Sequence, residues 1–80
     1  MTDVASIKTD LEVAHDIVQE YRRARESFKP MRGAHEGYAV ILEELDEMWD
    51  AIKQNKIESA RMECLQVAAM CLAFLLEVKP

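Results

Sequence analysis

Apolar positions recur every three or four residues along this chain and divide it into three segments. The first carries Val4, Ile7, Leu11, Ala14, Val18, Tyr21 and Phe28, the spacing of one apolar stripe on a helix, broken only by Arg25. Thr2 or Asp3 is the expected cap at its start, and Pro30 and Gly33 in "KPMRG" its stop. The second segment, Ala34 to Gln54, repeats the spacing through Tyr38, Leu42, Leu45, Trp49 and Ile52, which makes that face its expected core side. "QNKIES" reads as a turn, with Asn55 or Ser59 starting a third helix that continues through "ARMECLQVAAMCLAFLLEV" and stops before Pro80. From Val67 to Leu76 this last helix is apolar nearly all round. Two other helices of this length can hardly enclose it, so part of it is expected to pack on another subunit.

Composition sharpens that picture. Eighty residues make one domain, 1–80, of a size that buries only about 60% of its unfolded surface. Half the residues are hydrophobic, while two glycines and two prolines leave little for strands and tight turns. The expected fold is all-α: a three-helix chain completing a four-helix or larger bundle by oligomerisation.

A net charge of −5 argues against a nucleic-acid partner, since phosphate contacts need a cationic surface. One stretch runs the other way: "YRRARESFKPMR" holds Arg22, Arg23, Arg25, Lys29 and Arg32 against the single acid Glu26. Basic residues beside an acidic helix suit an anionic ligand that arrives with a divalent metal. Cys64 and Cys71 lie seven apart on one helix, about 10 Å along its axis, too far for a disulfide between them. Two lone thiols without metal-type spacing suggest a reducing cytosol. The N-terminus lacks a signal-peptide pattern, and the longest apolar run, "VAAMCLAFLL", is ten residues, short of a bilayer span. A cytoplasmic protein without a membrane partner is the expectation.

The acids of "EELDE" separate on a helical wheel. Glu43, Asp46 and Asp50 fall opposite the main apolar face with Glu36, Lys53 and Gln54, and read as a solvated surface. Glu44 instead has Gly37, Val40, Ile41, Met48 and Ala51 around it, with Glu47 one turn on at the edge of the same arc. Two carboxylates three apart repel unless solvated or bridged by a cation, and an acid among apolar neighbours is costly unless paired or metal-bound. The third helix repeats the motif: Glu63 and Gln66 share a face with Val67, Met70 and Phe74. Three carboxylates and an amide form an all-oxygen set suited to Mg²⁺ or Mn²⁺. A buried Arg or Lys neutralising the acids is the alternative.

"EELDE" is an EExxE motif, and after fifteen intervening residues "ECLQ" stands in the place of an ExxD motif. Over roughly residues 35 to 76 the pair resembles the signature of the MazG-like all-α nucleoside triphosphate pyrophosphatases, in particular short phage-type and bacterial members. The resemblance implies Mg²⁺ ligands at Glu44, Glu47 and Glu63, with Glu43 and Gln66 as further contributors. It also implies a homodimer or homotetramer with its site at or near subunit contacts, and hydrolysis of a (d)NTP to (d)NMP and pyrophosphate, with Mn²⁺ as a substitute metal. Gln66 departs from the usual aspartate and makes the site less negative by one charge. The chain also ends just after its third helix, where larger members have a fourth.

Triphosphate contacts are expected from Arg22, Arg25, Lys29 and Arg32, and further ligand contacts from His35, Tyr38 and Trp49, although a core role suits the two aromatics better. His15 reads as a surface residue, and no Ser/His/Asp or Cys/His arrangement stands out. Against the pyrophosphohydrolase stands a non-catalytic helical oligomerisation or regulatory module that keeps the fold, with Gln66 as a mark of decay. A di-iron carboxylate bundle is disfavoured because both helices lack Glu-x-x-His. A DNA-associated protein would need a basic recognition helix, and Pro30 and Gly33 interrupt the only basic stretch.

Overall fold

A computed structural model describes residues 8–80 as three α-helices, with no strand among them: α1 (Asp10–Ser27), α2 (Ala34–Lys53) and α3 (Ile57–Glu77). The proposed caps at Thr2 and Asp3, and the first two stripe residues Val4 and Ile7, lie outside the described residues. Within them α1 starts at a capping box that the sequence carries as "TDLE". The Thr9 hydroxyl accepts from the Glu12 N–H at 3.2 Å, and the Glu12 carboxylate accepts from the Thr9 N–H at 3.0 Å, which satisfies two otherwise orphaned donors. Phe28 ends α1 in an extended conformation, two residues before Pro30, consistent with helices ending at or before the residue that precedes a proline.

Between α2 and α3 the chain reverses at Asn55, which has a positive φ of 57°. Asn tolerates that left-handed conformation better than most residues. The N–H groups of Asn55 and Lys56 return to the carbonyls of Ile52 and Ala51 at 2.9 and 3.0 Å, the double closure of a Schellman motif. Asn55 therefore terminates α2 rather than starting α3, and Ser59 lies inside α3; both sequence-based choices for the α3 start are corrected.

α3 is the central element. α1 and α2 each pack on it but not on each other, so a cleft runs between them with α3 as its floor. Small residues make the close approaches: Ala51 on α2, and Ala60, Ala69 and Ala73 on α3, are buried, as is Met31 of the connector. Among the described residues no large side chain is fully enclosed.

The face of α2 expected to form the core points away from α3. Tyr38, Leu42, Leu45, Trp49 and Ile52 are all exposed, Tyr38 at 65% and Trp49 at 56%. α2 packs instead through the arc of Gly37, Val40, Ile41, Glu44, Met48 and Ala51, which is buried or half-buried. Gly37 and Ala51 let the two backbones come close, whereas Trp49 or Tyr38 at the contact would hold them apart. On α1, Leu11 and Phe28 are likewise exposed, and Val18, Tyr21, Ala24 and Arg25 are half-buried.

By length and composition α3 reaches what a membrane span requires, with a mean hydropathy of 1.4 over its best 18-residue window. The reading from its ten-residue uninterrupted run understated this.

Candidate metal centre and adjoining cleft

Glu44 and Glu47 sit one turn apart on α2, and Glu63 lies on the part of α3 that packs against it. Their three carboxylates converge so that one oxygen from each lies within 4.8 Å of the others. The antiparallel return through Asn55 is what brings them together, since Glu47 and Glu63 lie about equally far along the chain from the turn.

No described Lys or Arg forms an ion pair with any of the three. The electrostatics reflect this. Burial pushes the Glu44 carboxyl above its usual range, and the negative charges of Glu47, Glu63 and Glu43 push it further. Glu63 is raised in the same way, by burial first and then by Glu47. The cluster is thus a concentration of negative charge that no cationic side chain among the described residues compensates, the condition in which a bound divalent cation is most stabilising. An all-oxygen set of this kind fits Mg²⁺ or Mn²⁺.

Beside Glu44 opens a cavity of about 380 Å³, large enough for a small-molecule ligand. Glu43, Glu44, Glu36 and Val40 line its α2 side, Gln66 and Met70 its floor, and Ala24, Arg25, Phe28, Lys29 and Met31 its far side. One wall is therefore acidic and the other carries two cations.

The residues expected to contact a ligand divide into three groups. Arg25 and Lys29 line the cavity, but Arg25 is committed to structure. Its guanidinium bonds Glu77 Oε2 from both Nε, at 2.9 Å, and Nη2, and it donates to the Phe28 carbonyl at 2.6 Å. Arg32 is exposed and paired with Glu36 at 2.7 Å, so it stands near the mouth; Arg22 and His35 are exposed and line no part of the cavity. Tyr38 and Trp49 lie on the outward face of α2, away from the cleft, and Lys53 stacks over the Trp49 ring at 5.8 Å.

Glu43 is exposed yet lines the cavity, and Glu36, placed on the solvated side by the helical wheel, is half-buried and lines it too. Asp46 and Asp50 are exposed as expected.

Two carboxylates that sequence reasoning did not single out prove to be structural centres. Glu77, at the C-terminal end of α3, accepts from the Tyr21 hydroxyl at 2.7 Å, the Met31 N–H at 2.9 Å and Arg25. It thereby ties α1, the connector and α3 together. Glu20 is the buried charged residue of α1. It accepts from Arg23 on its own helix and from Gln66 Nε2 at 2.7 Å. Tyr21 and Arg25, four apart on one α1 face, were the available signal that a helix partner carried an acid.

Comparison with models of known protein families, with curated proteins and with solved structures finds no match for this chain.

Proposed function

We propose that this chain is a Mg²⁺-dependent nucleotide pyrophosphohydrolase that cleaves a (d)NTP to (d)NMP and pyrophosphate, acting in the cytoplasm as a homodimer or homotetramer. The observation that carries the reading is the convergence of Glu44, Glu47 and Glu63 from two helices. It stands beside a cavity whose opposite wall holds Lys29 and Arg25.

In this reading Glu44, Glu47 and Glu63 hold the metal, with Glu43 and Gln66 bordering it. Bound Mg²⁺ supplies neutralisation of phosphate charge and a more acidic water. The protein's own contribution is positioning. The carboxylates would hold the cation that neutralises one side of the polyphosphate, while Lys29, exposed at the far wall, would reach the anionic oxygens as a mobile point charge. Arg25, held by Glu77, keeps that wall in place. Apolar Val40 on the α2 wall and Met70 on the floor exclude water from part of the cleft, which strengthens the electrostatic contacts within it.

Oligomerisation completes the bundle in this proposal. Tyr38, Leu42, Leu45, Trp49 and Ile52 follow alternating steps of four and three, the spacing of a helix–helix seam, and all five are exposed in the single chain. A second chain against this seam supplies the core that one chain lacks.

The deciding experiment measures pyrophosphate release from each common NTP and dNTP with Mg²⁺ or Mn²⁺, comparing the wild type with Glu44→Ala. Metal-dependent release that the substitution abolishes establishes the activity. A folded oligomer that hydrolyses nothing across the panel rejects it and leaves the non-catalytic oligomerisation module as the better account, with Gln66 as a lost ligand.

A further inference from the structure

The departure at Gln66 leads to Glu20. A carboxylate only accepts hydrogen bonds, whereas a primary amide has one accepting and one donating end. The amide orientation of Gln66 is therefore dictated: its Nε2 must face Glu20 Oε2, 2.7 Å away. Glu20 is itself held, with its carboxylate accepting from Arg23 Nε at 3.1 Å and from Nη2, and it is 91% buried, at 9% relative exposure. With the nitrogen end committed to α1, the oxygen end of Gln66 is the free one. No described residue donates to it, and since no buried polar side-chain atom among the described residues lacks a partner, this oxygen is open to solvent. Gln66 lines the cleft next to Glu44 and lies one helical turn from Glu63.

We infer that Glu20 is a positioning residue that locks the Gln66 amide with its carbonyl oxygen presented to the cleft, so that a neutral side chain serves as an oxygen donor to a divalent cation. This rests on the metal site proposed above. Without Glu20 the amide turns freely and offers its nitrogen as readily as its oxygen. An aspartate at position 66 would have no nitrogen end to orient and would be repelled by Glu20. The pairing of Glu20 with Gln66 thus accounts for an amide where the resemblance leads one to expect a carboxylate. Outer groups that orient a ligand in this way commonly change metal affinity by about 10–100-fold.

The test is Mn²⁺ binding to the nucleotide-free protein, followed by calorimetry and by the Mn²⁺ paramagnetic resonance signal, with circular dichroism to verify folding. Glu44→Ala defines the site by abolishing binding. Glu20→Gln is expected to weaken Mn²⁺ binding about tenfold, Gln66→Ala similarly, and the double substitution no more than Gln66→Ala alone. Glu20→Asp, which keeps the charge but withdraws the oxygen from Gln66, is expected to lose affinity likewise, and keeps the test open if Glu20→Gln does not fold. If Glu20→Gln costs as much in the Gln66→Ala background as in the wild type, Glu20 acts through its charge alone and the positioning role is overturned. Unchanged affinity in both Glu20 variants overturns it too, while the metal site stands. A folded wild type that binds no Mn²⁺ removes the metal site itself, and this inference with it.

Discussion

Gly37 of α2 lies so close to the Phe74 ring of α3 that a Cβ built on it would stand 2.6 Å from Cδ2 and 2.9 Å from Cε2, with Met31 Sδ at 3.2 Å. This contact sets how closely the two helices approach two turns before Glu44, and so governs whether Glu63 can meet the α2 carboxylates. Alanine gains up to about 1 kcal/mol in helix propensity over glycine, but overpacking a close contact costs roughly 1–3 kcal/mol. Gly37→Ala should therefore lower stability by about 1 kcal/mol, or roughly 4–8 °C in Tm for a domain of this size. In a Phe74→Ala background the same change should be neutral or stabilising, a sign reversal that thermal denaturation reads directly.

Glu44 offers a test of the cost of function. Its carboxyl is raised above the ordinary 4.5 by burial, then by Glu47, Glu63 and Glu43. A raised acid makes the folded state bind the proton more readily, so stability falls as pH rises from the ordinary value through the raised one, and the full penalty is present at neutral pH. Glu44→Gln should raise the metal-free Tm at pH 7 by roughly 3 °C, the size of about 0.5 kcal/mol of relieved like-charge repulsion. Below the ordinary carboxylate value that advantage should vanish. Added Mg²⁺ should raise the Tm of the wild type and leave the variant unchanged.

Glu77 behaves in the opposite sense. Burial pushes its carboxyl up, but hydrogen bonds from the Met31 N–H, Tyr21 and Arg25 outweigh this and hold it below 4.5. A lowered acid contributes stability that is fully present above the ordinary value and is lost as pH falls through the lowered one. Glu77→Gln should cost about 2 kcal/mol at pH 7, the scale of hydrogen bonds to a charged group. It should also flatten the acid side of the stability profile measured by urea titration from pH 6 downward.

The outward α2 seam predicts assembly. Sedimentation equilibrium should find a dimer or tetramer, and Leu45→Asp or Trp49→Asp should shift it to monomer, since central seam residues typically cost 2 kcal/mol or more when lost. A variant that keeps the wild-type mass would place the contact elsewhere, for instance on the exposed side of α3.

Sequence periodicity alone determined a good deal. Helix α2 begins at Ala34 and ends within a residue of the expected Gln54, because the three-four spacing is a local signal, whereas Asn55, read as a start of α3, closes α2 instead. The meeting of Glu44, Glu47 and Glu63 was legible for the same reason: Glu44 and Glu63 interrupt apolar arcs on consecutive antiparallel helices, and Glu47, exposed, joins them from the edge of its arc. Periodicity pointed to the wrong one of two apolar arcs on α2 as the inward face. The tertiary structure chose the arc with Gly37 and Ala51, because helices approach closely where side chains are small, and turned Tyr38, Leu45 and Trp49 outward. Nor did local pattern reveal the bonds from Glu20 to Gln66 and from Arg25 to Glu77. Each joins α1 to α3 across more than forty residues, and such partners are decided only when the helices pack.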